Sequence, residues 1–167
     1  MRTPPTHRRK MMCISALLIA CCSVALVVAW RVVSSRIQEE RLKSQFRMLR
    51  HFLLMEVKDS RDQSPPFPKY TAADLNRLVE WDGRQVSVAT FFADPVNGGL
   101  IGYSPITSDG NAIRLDRLNS EPGERVIAWA VLPQSFQRVV VMTDSLETKI
   151  ITIQQVDLGG QPIVAPP

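Results

Sequence analysis

Beyond residue 58 the chain has neither cysteine nor histidine: the three cysteines are Cys13, Cys21 and Cys22, and the two histidines are His7 and His51. That absence excludes a disulfide framework, a thiolate or imidazole metal site, and any Ser-His-Asp or Cys-His nucleophile within the distal two thirds of the chain. No phosphate-binding glycine motif of the G-x-x-x-x-G-K-[ST] or G-x-G-x-x-G type occurs, and there is no internal repeat. Residues 11–58 contain no glycine and no proline, and residues 11–30 contain no formal charge. The first absence leaves nothing to interrupt a helix; the second leaves nothing to keep it in water.

Charge is divided unevenly. Residues 1–58 hold eleven Lys/Arg against three Glu, a net of +8, whereas residues 59–167 hold nine against thirteen acids, a net of −4. The overall +4 therefore belongs to the N-terminal part, and the mildly acidic distal domain lacks the basic face that nucleic-acid binding requires. Its acids fall largely at turn and cap positions, such as Asp74, Asp94, Asp109, Asp144 and Glu147, where a solvated turn is the expected role. Asp109-Gly110-Asn111 matches only a fragment of a calcium loop. The expectation is a non-enzyme with no cofactor and no metal site.

Met11–Trp30 reads MMCISALLIACCSVALVVAW. At about 1.5 Å per helical residue these residues span about 30 Å, the hydrocarbon thickness of a bilayer. Arg8, Arg9 and Lys10 border the run on one side, Trp30 and Arg31 on the other, as expected at membrane interfaces. Leu17, Leu18, Val24, Leu26, Val27 and Trp30 are the expected lipid-facing residues, and the bilayer is the first expected partner. Two other readings of the run stay open: a cleaved signal peptide, and a lipoprotein signal with Leu18-Ile19-Ala20-Cys21 ending on a lipidated Cys21. Four cations precede the span and six follow within twenty residues, so a count does not orient it. The tight Arg8-Arg9-Lys10 cluster places residues 1–10 in the cytoplasm as a basic tail and the distal domain outside.

Leu42, Phe46, Leu49, Leu53 and Val57 step by four, three, four and four, the spacing of one helical face. An amphipathic helix is thus expected over 31–63. Its stripe packs either on the protein's own sheet or on a partner helix, from a second copy or another protein. The proline-rich segment 64–70 forms a rigid connector. Thr71-Ala72-Ala73-Asp74 predicts a capped helix to about Glu80 with Leu75, Leu78 and Val79 on one face. Strands are expected at 85–92, 100–106, 125–132, 138–143 and 148–156, with turns at Asn97-Gly98, Asp109-Gly110, Pro122-Gly123 and 144–147. A domain of helix plus antiparallel sheet over 71–158 and a loose tail at 159–167 complete an α+β chain.

The stretch from Arg41 to Leu53, the later Pro65-Pro66-Phe67-Pro68 and Arg138-Val139-Val140-Val141-Met142-Thr143-Asp144 carry a resemblance. The order of apolar helix, amphipathic helix, Pro-Pro turn and late apolar strand resembles type IV pilins and pseudopilins, most nearly the pilin-like proteins of unknown function from planctomycete bacteria. The resemblance implies a long N-terminal helix packed by its distal half on a small sheet, in a protein of the bacterial envelope or of secretion that acts by protein–protein contact. The prepilin cleavage signature Gly-Phe-Thr-Leu-x-Glu is absent, Arg9-Lys10-Met11-Met12 standing in its place; no glutamate lies within 11–30; and the late turn is Asp144-Ser145, without glycine. From the residues alone, a generic membrane-tethered binding module and an enzyme working with carboxylates only are the other two readings.

Overall fold

A computed structural model of the chain describes residues 5–58, 65–106, 110–115, 125–133 and 138–152, with side chains from residue 18 onward. The expected loose tail, the Pro122-Gly123 turn and the last residues of the final strand lie outside them. The chain divides into two compact units, Met1–Ile37 and Gln38–Pro167. Helix α1, Pro5–Lys58, supplies all the described residues of the first unit and the opening of the second. It begins within the expected basic tail, since nothing after Pro5 breaks it.

In the second unit, α1 is followed by a four-residue helix α2 (Ala72–Leu75), a hairpin of β1 (Leu78–Trp81) and β2 (Arg84–Ser87), and a 3-10 segment at Val88–Phe92. Strands β3 (Gly102–Tyr103), β4 (Val126–Val131), β5 (Arg138–Thr143) and β6 (Thr148–Thr152) form an antiparallel sheet in that spatial order. The architecture is α+β, one long apolar N-terminal helix with a small antiparallel sheet.

Leu42, Phe46, Leu49 and Leu53 are fully buried and Val57 nearly so, all in one cluster with Phe91, Ile127, Ala128, Val140 and Met142. The register puts Ala128 opposite Met142, Ala130 opposite Val140, and Ile150 opposite Val140, so these side chains share one sheet face. Trp129, Val131, Val139, Val141 and Ile151 take the other. A bulge between Val126 and Ala128 lets the sequence neighbours Ile127 and Ala128 both be fully buried. Phe52, beside the stripe, stacks on Phe91 at 4.4 Å between ring centroids and meets Phe92 edge-on. Gln45 Nε2 donates to the Thr90 and Phe91 carbonyls at 2.7 and 3.0 Å. Arg77 donates to both carboxylate oxygens of Glu56 at 2.9 Å. These polar contacts fix the 3-10 segment and the hairpin entry against the helix.

Several elements differ from the sequence expectation. The capping box forms, with Asp74 N–H donating to Thr71 Oγ1 and Thr71 N–H to Asp74 Oδ2. The Thr71 hydroxyl and backbone amide hold the Asp74 carboxyl below its usual range. Yet the helix stops at Leu75 instead of reaching Glu80, and Leu78 is exposed. The reason is Asp82-Gly83, whose positive φ values of 51° and 71° make the two-residue turn that pairs Trp81 with Arg84. The expected strand 85–92 is split. Ser87 ends β2, and the Val88 N–H turns back to the Arg77 carbonyl, which lets the adjacent Phe91 and Phe92 both enter the core.

At Asn97-Gly98 the connection is wider than a tight hairpin. Asp94 Oδ1 accepts the Val96 and Asn97 N–H groups, Gly98 and Gly99 take positive φ, and Ala93 and Leu100 pair by one isolated bridge. The strand expected over 100–106 is regular only at Gly102–Tyr103. The proline segment is more than a spacer: Phe67 N–H donates to the Ile113 carbonyl and Leu115 N–H to the Pro65 carbonyl, with Phe67 buried. Prolines on either side of Phe67 withhold donors, so one amide and one carbonyl make the pairing.

Because the α1 stripe supplies much of the core, a fragment starting at Gln38 is expected to unfold cooperatively, and one starting at Asp59 is not. Phe52→Ala in the longer fragment should cost about 3–5 kcal/mol. Urea titration followed by tryptophan fluorescence measures both; equal stability of the two fragments would show that the stripe is not part of this core.

Candidate functional site

The residues expected to act are all on α1, and they fall into two sets with opposite exposure. Of the lipid-facing candidates, Leu18, Val24, Leu26, Val27 and Trp30 are each more than half exposed; Leu17 lies in the helix, its side chain outside the described set. Ile19, Val28, Val32, Val33 and Ile37 are also at least half exposed. Apolar side chains therefore point outward on every side of the helix over 18–37, a pattern suited to an apolar solvent and costly in water. Ser23 Oγ donates locally to the Ile19 carbonyl at 2.8 Å. Cys21 and Cys22 are exposed free thiols in the middle of this helical run. The helix is long and apolar enough to cross a membrane.

Past Ile37 the pattern reverses. The stripe Leu42, Phe46, Leu49, Leu53 and Val57 is buried inside the second unit, and Arg41, Ser44, Arg47, Arg50, His51 and Lys58 are exposed. Lys43 Nζ donates to Glu39 at 2.7 Å and Glu40 at 3.3 Å; the Glu39 contact is the main cause holding the ammonium above its usual range. Arg47 approaches Glu40 at 3.8 Å, and Arg138 of β5 approaches Glu39 at 3.5 Å. These are surface ion pairs of small energetic weight. They nevertheless make the outer helix face charged and mixed in sign, which is a poor seam for an apolar partner helix.

The chemistry available elsewhere is sparse. Among the described residues no group of three His, Cys, Asp or Glu side chains is close enough to hold a metal ion. Asp94, one of the few buried acids, is occupied: besides the two backbone donors it accepts from Asn97 Nδ2 at 2.9 Å, and that amide also donates to the Val131 carbonyl. The aromatic group of Phe52, Tyr70, Phe92 and Tyr103 holds two phenols. Tyr103 donates to the Pro68 carbonyl at 2.9 Å, whereas the buried Tyr70 hydroxyl has no hydrogen-bond partner among the described residues. Burial pushes both phenol pKa values up, so both stay protonated at neutral pH.

Phe52, Gln45 and the two tyrosines were not among the residues singled out by periodicity. Phe52 is adjacent to the stripe and widens it, a signal the four-three spacing leaves aside. Gln45 and the tyrosines act through partners remote in sequence, which one-dimensional patterning does not carry. No family model matches the chain, and no curated protein or solved structure matches it.

The two phenols give opposite expectations. Tyr70→Phe removes a hydroxyl that makes no bond among the described residues and should be neutral or stabilising, by up to about 1–3 kcal/mol. Tyr103→Phe removes a bond to the Pro68 carbonyl and should destabilise by about 0.5–1.5 kcal/mol. A second steric test is Gly102→Ala: a Cβ there would run into the Trp129 indole, which lies across the paired strand. It should cost about 1–3 kcal/mol by overpacking. Chemical denaturation of the three variants measures all three signs.

Proposed function

We propose that the protein is a single-pass, membrane-anchored envelope or secretion-associated protein of pilin-like build that acts through protein–protein contact. The observation that carries this reading is the change of environment along α1. Apolar side chains are exposed all round from Leu18 to Ile37 and gathered into the core of a sheet-containing unit from Leu42 to Val57. A helix serving as membrane anchor first and core element second, ahead of a four-stranded antiparallel sheet, is the arrangement that the resemblance to pilin-like proteins implies. The unbroken helical course through Cys21 and beyond also favours a retained anchor over a cleaved or lipidated signal.

On this reading the N-terminus is cytoplasmic and the acidic unit faces outward. Contact with other proteins falls to the lipid-exposed part of the helix and to the outer surface of the globular unit, because the amphipathic stripe is already occupied. A generic tethered binding module shares the anchor and the topology. It differs in working alone, whereas a pilin-like protein makes contacts between copies or with related subunits.

Alkaline carbonate extraction of membranes is expected to leave the protein in the pellet. Leu18→Arg with Val24→Arg should weaken insertion by about 2.5–3.5 kcal/mol per central charge and release a fraction of it. A reporter active only outside the cytoplasm, fused after Pro167, should be active. An active cytoplasm-only reporter at the same site would overturn the topology and the envelope function with it. Crosslinking in intact membranes separates the two functional readings, a ladder or heteromer supporting the pilin-like one and a monomer the tethered module.

A further inference from the structure

We propose that residues 31–37 of α1 form a headgroup-layer segment in which Arg31 and Arg36 bind the phosphates of anionic phospholipids. The inference rests on the membrane reading above and adds where the span ends and which lipid it prefers. By charge alone the apolar run stops at Trp30, because Arg31 follows it. Exposure gives a different boundary. Val32, Val33 and Ile37 are 51%, 52% and 50% exposed, a little less than the apolar residues before Trp30; Val33 and Ile37 share one face and Val32 lies about 100° around the helix from Val33. Water is an unfavourable surrounding for such a segment, and the hydrocarbon core is unfavourable for its two arginines. The interfacial layer suits both.

Length agrees with that placement. Residues 11–30 cover about 30 Å, the hydrocarbon thickness, and residues 31–37 rise about 10 Å further, enough to cross one headgroup layer of about 5–8 Å. The first compact unit also ends at Ile37. Arg31 and Arg36 are exposed, and among the described residues neither has an ion-pair partner, whereas Lys43 and Arg47, farther along, are both matched by Glu39 or Glu40. Unmatched guanidiniums beside exposed aliphatic side chains and Trp30 can lay their stems along the acyl boundary and put their planar donors on phosphate oxygens. Charge complementarity selects anionic over zwitterionic lipid.

Trp30 offers a local probe, since it adjoins Arg31 and is 74% exposed. The full chain is reconstituted into phosphatidylcholine vesicles containing either brominated phosphatidylglycerol or brominated phosphatidylcholine at the same mole fraction. Bromine quenches only tryptophan in contact with the bilayer, and Trp30 reports on its own leaflet, so the Arg8-Arg9-Lys10 cluster at the other end does not contribute. The expected result is a roughly twofold to fivefold higher relative association for the anionic lipid at low salt, falling as salt rises. Arg31→Gln with Arg36→Gln should bring the ratio to one, and Arg47→Gln with Arg50→Gln should leave it unchanged. A ratio of one in the unaltered chain, or a preference that follows Arg47 and Arg50 instead, would overturn the proposal while leaving the anchor intact. No quenching by either lipid would overturn the membrane reading itself.

Discussion

The globular unit depends on the burial of one face of α1. Four side chains of the stripe are fully buried, and with Phe52 they meet the 3-10 segment and the apolar face of the four-stranded sheet. The sheet is small, with β3 only two residues long. Its Ile127, Ala128, Val140 and Met142 are fully buried in one cluster with the large side chains of the helix, so removing the helix would expose the strands. The remaining features, the Gln45 donors, the Glu56–Arg77 pair and the hairpin, secure the surroundings of that contact.

The same helix carries a second constraint that pulls the other way. Its N-terminal part exposes apolar side chains on all sides, and the described residues give them nothing to pack on. A stripe is enough for a helix that lies on a core, whereas a fully apolar circumference requires an apolar medium. The transition occurs over a short stretch around Ile37 and Gln38, where exposed aliphatics give way to exposed charges and buried aliphatics. A helix segment long and apolar enough to cross a membrane and a core-forming stripe thus share one continuous element. Neither glycine nor proline interrupts α1 between residues 11 and 58.

What was legible in the sequence follows from how local each signal is. The apolar run and the Leu42–Val57 stripe depend on spacing within one helix and were readable from it. Strands β4 and β5 were readable as short apolar runs bounded by turn residues, and β5 begins and ends where the pattern puts it. In the segment after the capping box two local signals compete: Leu75, Leu78 and Val79 have helical spacing, while Asp82-Gly83 asks for a hairpin. The turn prevails, since both of its residues adopt the positive φ that such a pair favours and the flanking strands pair around it. Val86, Val88 and Thr90 alternate like a strand, yet burying both Phe91 and Phe92 needs a backbone that stops alternating. The Tyr103–Pro68 and Gln45–Thr90 bonds join residues 35 and 45 positions apart and leave no trace in local pattern. Leu146 is a comparable case: it takes a φ of 61°, unusual for a branched residue, in a turn without glycine, and is held there with its side chain buried.

On the proposed function, α1 has lipid around its first part and protein around one face of its second. A spin-label scan along α1, in vesicles and with the three cysteines replaced, measures this directly through collisions with oxygen and with a water-soluble nickel chelate. Labels at Leu26 should meet oxygen and not nickel, labels at Ser44 should meet nickel, and labels at Phe46 should meet neither. Nickel access at Leu26, or oxygen-rich lipid contact at Phe46, would contradict the account.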